Sequence, residues 1–211
     1  MENRNLYIVR CGEVALKGMN KPYFERVLLE RVKKAIGCYD DAEAKWIDGL
    51  MFVRVPDSVP EDEVIAKCVR VFGVASVSPA VEAPKDINEI GRIAGEFMQK
   101  VIEKDGIKTF KVKGKRADKS FAIESPEIGR QVGGMVLKAC KVLSVDVHRP
   151  DCVLTVDVRR EGAYIFRDKV KGFGGLPLGT NGKGLILMSG DRKSTRLNSS
   201  HPTTSRMPSS A

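Results

Sequence analysis

Cysteine pairs, histidine, tryptophan and long apolar runs are what this chain has least of. Its five cysteines, Cys11, Cys38, Cys68, Cys140 and Cys152, are scattered over 211 residues with no CxxC spacing, and of the two histidines only His148 lies near any of them. That scatter argues against a closed Cys/His metal site and against a disulfide framework, so reduced, mostly packed thiols are expected and no metal ligands. No apolar stretch approaches the roughly 18 residues that span a bilayer. The opening MENRNLYIVRCGE lacks the layered zones of a signal peptide. A soluble cytoplasmic protein with no membrane partner is the expectation.

What is present is a globular composition, 42% hydrophobic and 30% charged, long enough for one or two domains. The net charge is +9. Arg192, Lys193, Arg196 and Arg206 against Asp191 give residues 191–211 a charge of +3, which leaves +6 on residues 1–190. The body is therefore basic in its own right, which suits a polyanionic partner but also an ordinary solvated surface.

Apolar periodicity divides the body in two. Residues 6–10 read as a strand, and Pro22 opens a helix to about Ile36 with Phe24, Val27, Leu28, Val32 and Ile36 on one face. Strands at 44–48 and 50–55 flank a tight turn at Asp48-Gly49. A helix at 61–72 runs through Val64, Ile65, Cys68, Val69 and Phe72, and 75–81 is again strand-like. This βαββαβ order is the ferredoxin-like arrangement, two helices on one face of an antiparallel sheet.

Residues 79–84 read as a short boundary. Beyond it, Asp86 and Glu89 are placed for a reciprocal cap on a long helix facing a core through Ile87, Ile90, Ile93, Ala94, Phe97, Val101 and Ile102. A strand at 109–113, a helix with Ser125 as cap and Pro126 in its first turn, and strands at 142–147, 153–159 and 164–168 complete a small α/β domain. The fold class is α+β.

The stretch TFKVKGKRADKSF, 109–121, gathers Lys111, Lys113, Lys115, Arg116 and Lys119, with Phe110, Val112 and Phe121 as anchors below. A fixed array of cations suits phosphate contacts, because each neutralised phosphate releases counterions without reading a base. The same stretch fits a strand edge guarded by lysines against aggregation. Arg130, Arg149, Arg159 and Arg160 are candidates to extend the array. Further on, glycine-rich residues 171–184 precede 185–188, which read as a buried parallel strand. Ser189-Gly190 would then begin a turn able to cradle phosphate on backbone N–H groups, although glycines alone would also fit a flexible linker.

Residues 191–211 offer only Leu197, Met207 and small side chains for burial. Ordering a residue costs roughly 1–2 kcal/mol, and one buried Leu or Met returns about 1.5–3, so this tail is expected to be disordered. Codons for DRKSTRLNSSH and SRMPSSA also resemble a widely used sequencing-library adapter, from which the genuine gene product is expected to be interrupted after Gly190.

Taken together, RCGEVALKG and NKPYFE (10–18, 20–25), VFGVASVSPA (71–80), TFKVKGKRADKSF, VDVHRPD (145–151) and KGFGGLPLGTNGKGLILMSG (171–190) resemble the tRNA 4-thiouridine synthetases, or tRNA sulfurtransferases. Cys11 stands where that family usually has Tyr. The resemblance covers 6–190 and implies a ferredoxin-like domain at 1–80, a THUMP domain at 81–168 that holds the tRNA acceptor end, a glycine-rich linker at 169–184 and the first strand of a Rossmann-like ATP-pyrophosphatase domain at 185–190.

It further implies ATP, with Mg in the intact enzyme, near Leu187, Met188, Ser189 and Gly190. The family's reaction activates the C4 oxygen of uridine 8 as an adenylate, which sulfur from a cysteine desulfurase then displaces, and the same sulfur serves thiamine thiazole synthesis. A homodimer is compatible with the resemblance. The rest of the family's SGGxDS loop and its catalytic cysteine do not follow Gly190, so no catalytic residue is assigned and this polypeptide is expected to be inactive. Two rivals remain: a stand-alone THUMP RNA-binding module, which 185–188 disfavours, and a THUMP methyltransferase, for which GTNGKG at 179–184 precedes a strand instead of following one.

Overall fold

The computed structural model describes residues 4–13, 18–167 and 170–180, which lie in one compact unit, Met1–Thr180. Strand β1 (Arg4–Cys11) leads through a single helical turn into α1 (Lys21–Ile36). Then come β2 (Glu43–Ile47), β3 (Leu50–Pro56), α2 (Glu61–Val69) and β4 (Val74–Ala83). The second half holds α3 (Ile87–Asp105), β5 (Thr109–Arg116), α4 (Ser125–Ala139), β6 (Ser144–Val145), β7 (Cys152–Val158), β8 (Ala163–Phe166) and β9 (Val170–Lys171).

The local chemistry agrees with these elements. Phe24, Leu28, Val32 and Ile36, four apart, form the buried stripe of α1. The β2–β3 hairpin turns on Asp48 and Gly49, with φ of 47° and 78°, as a two-residue turn of this kind requires. Asp86 caps α3 by accepting the Asn88 and Glu89 N–H groups at 2.9 and 3.0 Å, and Gly106 ends it at φ 64°. The other half of the expected reciprocal cap is missing, because the Glu89 carboxylate pairs with Arg92.

All nine strands of the described residues belong to one sheet, in the order β2-β3-β1-β4-β8-β7-β5-β6, with β9 also on β4. The boundary expected at 79–84 is therefore no break in the backbone. Strand β4 runs through it, pairing β1 on one side and both β8 and β9 on the other. Pro79 falls between the β9 partner Val77 and the β8 partner Ala80, where the ladder on that side is interrupted and a proline is tolerated.

Helices α1 and α2 cover one core, including Leu28, Val32, Val53 and Val64, and α3 and α4 cover another, including Ile90, Met98, Ile128 and Leu154. A third cluster, Leu6, Ile8, Phe52, Ala80, Tyr164 and Phe166, includes no helical residue among those described. It exists because the sheet curls on itself. The rings of Phe52 and Tyr164 lie 4.6 Å apart although β1 and β4 separate their strands. Arg159 Nη1 reaches the Asp48 carbonyl across the same face at 2.8 Å. On the helix side, Lys104 pairs with Glu61 at 3.1 Å, and Arg167 pairs with Glu61 at 3.7 Å and with Asp105.

Three further expectations change. Helix α2 stops at Val69, and Phe72 lies beyond it, its ring tilted against that of Phe173 with the centroids 5.5 Å apart. The strand expected at 142–147 shrinks to two residues, because the Leu143 N–H turns back to the Cys140 carbonyl before it and the Asp146 carboxylate accepts the His148 and Arg149 N–H groups after it and turns the chain away. Within the glycine-rich segment, Gly172, Phe173 and Gly174 donate to the carbonyls of Ala75, Val69 and Val74, so its start is fastened along β4 and α2. The readings at 185–190 and 191–211 lie outside the described residues. Among the described residues no helix is long and apolar enough to cross a membrane.

Candidate nucleic-acid interface

Strand β5 carries the basic array and β7 positions it, parallel in register from Phe110↔Cys152 to Arg116↔Val158. Phe110 is fully buried and Val112 and Phe121 pack against the same core, while Lys113 and Lys115 are exposed. Lys111 is half-buried and donates to the Val147 carbonyl at 3.2 Å.

Helix α4 lies unusually close to this strand. A Cβ on Gly114 would stand 2.1 Å from the Ser125 carbonyl oxygen, and one on Gly129 would stand 3.3 Å from the Val112 carbonyl oxygen. Ser125 is not the cap expected of it. It is the first residue of α4, Glu124 occupies the cap position without a side-chain bond, and the Ser125 hydroxyl accepts the Arg116 N–H at 3.0 Å. The Arg116 guanidinium then donates to the Phe121 carbonyl, which closes the loop after β5.

The remaining candidate arginines separate by partner. Arg130 makes two bonds to Glu127, at 2.8 and 2.7 Å, and this pairing holds the Glu127 carboxyl down to about 2. Arg149 and Arg160 are exposed. Arg159 is only 13% exposed and binds Asp157 Oδ2 through Nε and Nη2 at 3.1 Å, as well as the Asp48 carbonyl. It is a structural residue, and it leaves the proposed array because its donors are turned inward.

Two cavities flank the array. One, of about 660 Å³, runs along β5 and the glycine face of α4, with Gly129, Gly133, Leu137 and Val145 in its wall and Lys113 and Arg130 among its cations. The other, of about 570 Å³, lies at the far end of β5 and is lined by Lys85, Ala117, Asp118, Lys119, Ser120 and Arg160. Lys85 is the residue that sequence reasoning missed. It sits between β4 and α3, 33 positions from the Asp118 carboxylate it meets at 3.1 Å, and nothing in its local sequence marks it.

This pair of fused α/β units, one with a basic parallel strand beside an open cavity, defines a class that known families share. A ThiI ferredoxin-like domain model matches residues 6–78 and a THUMP domain model matches 84–168. A probable tRNA sulfurtransferase of Alkaliphilus metalliredigens is 42% identical over 88% of this chain and 47% of its own length. A 4-thiouridine synthetase solved as an RNA complex with bound ATP superposes with a TM-score of 0.76 at 35% identity, over 89% of this chain and 47% of that one. A Pyrococcus horikoshii protein superposes at 0.73 and 30% identity, over 83% and 58%. The chain belongs to the tRNA sulfurtransferase family and corresponds to its N-terminal part. It spans about half the length of the curated relatives it matches.

Proposed function

We propose that this chain is the RNA-holding part of an ATP-dependent tRNA-thiolating enzyme, and that β5 and the loop after it bind the acceptor end of tRNA. The observation that carries the reading is the exposed Lys113 and Lys115 on a rigid strand, between an apolar-walled cavity at one end and a cationic one at the other. Lysines on a fixed strand supply the sequence-independent phosphate contacts of such binding, and an apolar wall suits unstacked bases of a single-stranded end. A relative solved with RNA and ATP supports the reading.

ATP activation of uridine 8, sulfur from a cysteine desulfurase, and a role in thiazole synthesis belong to the same proposal for the whole enzyme. The residues proposed to face ATP, Leu187 to Gly190, lie outside the described ones, and no step is derived through them. Replacing Lys113 and Lys115 by Ala tests the RNA contact. Each lost phosphate contact should lower the slope of log affinity against log salt by about 0.7–0.9. An unchanged slope would return both lysines to the role of a solvated strand edge.

A further inference from the structure

The cavity at the tip of β5 is assembled from three connections far apart in sequence. Lys85 comes from the link between β4 and α3, Asp118, Lys119 and Ser120 from the loop after β5, and Arg160 from the β7–β8 turn. The loop is fastened to β7 by the Ala117 and Asp118 N–H groups, which both donate to the Val158 carbonyl, at 2.9 and 3.0 Å.

Among the described residues Asp118 is the only acid lining this cavity, and its charge is used up inside the frame. One carboxylate oxygen accepts the Ser120 N–H and hydroxyl at 2.9 and 2.7 Å, and the other accepts Lys85 Nζ at 3.1 Å. Its side chain is 9% exposed. These bonds, those from Ser120 foremost, hold the carboxyl down to about 2, so it is ionised at neutral pH. The cations are disposed the other way, with Lys85, Lys119 and Arg160 all exposed.

We infer that this cavity seats one phosphate of an RNA backbone, bound by Lys85, Lys119 and Arg160, and that Asp118 is a positioning residue that aims Lys85 at it. The inference rests on the RNA-holding reading above and adds a site to it. Three cations against one internally satisfied carboxylate leave a net positive seat. It lies at the carboxyl ends of the parallel strands β5 and β7, where open α/β sheets bind their ligands. Its lining offers no aromatic or large aliphatic side chain on which a base could stack, in contrast to the cavity beside α4. Lys115 and Arg116 lead along β5 straight to it, so a strand of RNA that follows the array would place its next phosphate here.

The role of Asp118 gives a test of sign. If charge alone governed binding, removing a carboxylate from a basic surface would strengthen it. A carboxylate that aims Lys85 predicts the reverse. In filter-binding or anisotropy titrations with tRNA, Lys85→Ala should lower the salt slope by about 0.7–0.9, and Lys85→Arg should restore most of it. Asp118→Asn should weaken binding in the wild-type background, yet leave it unchanged or strengthen it once Lys85 is already Ala.

Tighter binding by Asp118→Asn alone would overturn the positioning role, as would equal weakening in both backgrounds. An unchanged slope in Lys85→Ala would overturn the seat. If Asp118→Asn disturbs the loop, Lys119→Ala, on an exposed side chain, tests the seat by the same slope. Loss of slope in Lys113→Ala/Lys115→Ala with none in Lys85→Ala or Lys119→Ala would remove the seat and leave the RNA-holding reading standing. No change in any of these variants would remove both.

Discussion

Arg159 and Arg160 are neighbours of the same charge, and the fold separates them completely. The backbone pairing of Arg159 with Gly162 closes the β7–β8 turn, which leaves Arg160 exposed at its tip and turns Arg159 back onto Asp157. Asp157 is 3% exposed, and only its Oδ2 is hydrogen-bonded. Removing one partner of a buried ion pair typically costs about 3–5 kcal/mol, and the Arg10 guanidinium, which also interacts with Asp157, would offset part of that here. Arg159→Ala should therefore lower the urea midpoint strongly, whereas Arg160→Ala should change stability by less than about 0.5 kcal/mol. Equal effects in urea titrations would contradict the assignment. Alternation in TVDVRREG puts Arg159, and not Arg160, on the face of Asp157, but it does not show that this face is buried. The distinction depends on Asp48, 111 positions away, whose carbonyl receives Arg159.

Single elements were legible where periodicity alone decides them. The four-residue spacing in α1, the cap and apolar face of α3, and the Asp48-Gly49 hairpin are local signals, and the fold keeps them. Elements decided by a distant partner were not legible. Apolar alternation at 142–147 promised a strand, but the Leu143 N–H turns back to the Cys140 carbonyl before it and the Asp146 side chain ends it after two residues, which leaves Val142 70% and Val147 56% exposed. Pro79 and Pro84 suggested a boundary, and the two domain models do part there, at 78 and 84, but the sequence did not show that β4 runs through it and serves both halves, with β8 and β9 dividing its far edge.

The basic array on β5 was legible, but its setting depends on the α4 approach, which only small residues permit. Gly114→Val would drive a side chain into the Ser125 carbonyl and push α4 off the strand. Overpacking of this kind costs typically 1–3 kcal/mol. The variant should lose that much stability by urea titration and also bind RNA more weakly at temperatures where it remains folded. A Gly114→Val protein of unchanged stability would show that the contact is loose.

In the whole described unit, the continuous sheet and the curled face join the two sequence-level domains into one compact body. Phe52 and Tyr164 meet at 4.6 Å across that face, and Arg10 from β1 lies over the Phe166 ring at 4.5 Å while donating to Ser78. Trp46, the single tryptophan, sits in β2 and reports on the first half alone. Unfolding followed by Trp46 fluorescence and by far-UV circular dichroism should therefore coincide in one transition. Phe52→Ala, which empties the shared cluster at a cost of about 3–5 kcal/mol, should shift both traces together. Separated transitions in the unaltered protein would mean that each half folds by itself.

A compact unit with one continuous sheet can hold one end of an RNA against its basic strand, and that is the role proposed for it. The direct measurement is the affinity of the unaltered chain for a tRNA with its single-stranded 3′ end intact and for the same tRNA with that end trimmed, at one fixed salt concentration. Tighter binding of the intact tRNA, with a steeper salt dependence, is the predicted result. Equal affinity and equal slope for the two RNAs would contradict acceptor-end recognition and reduce β5 to a general polyanion surface.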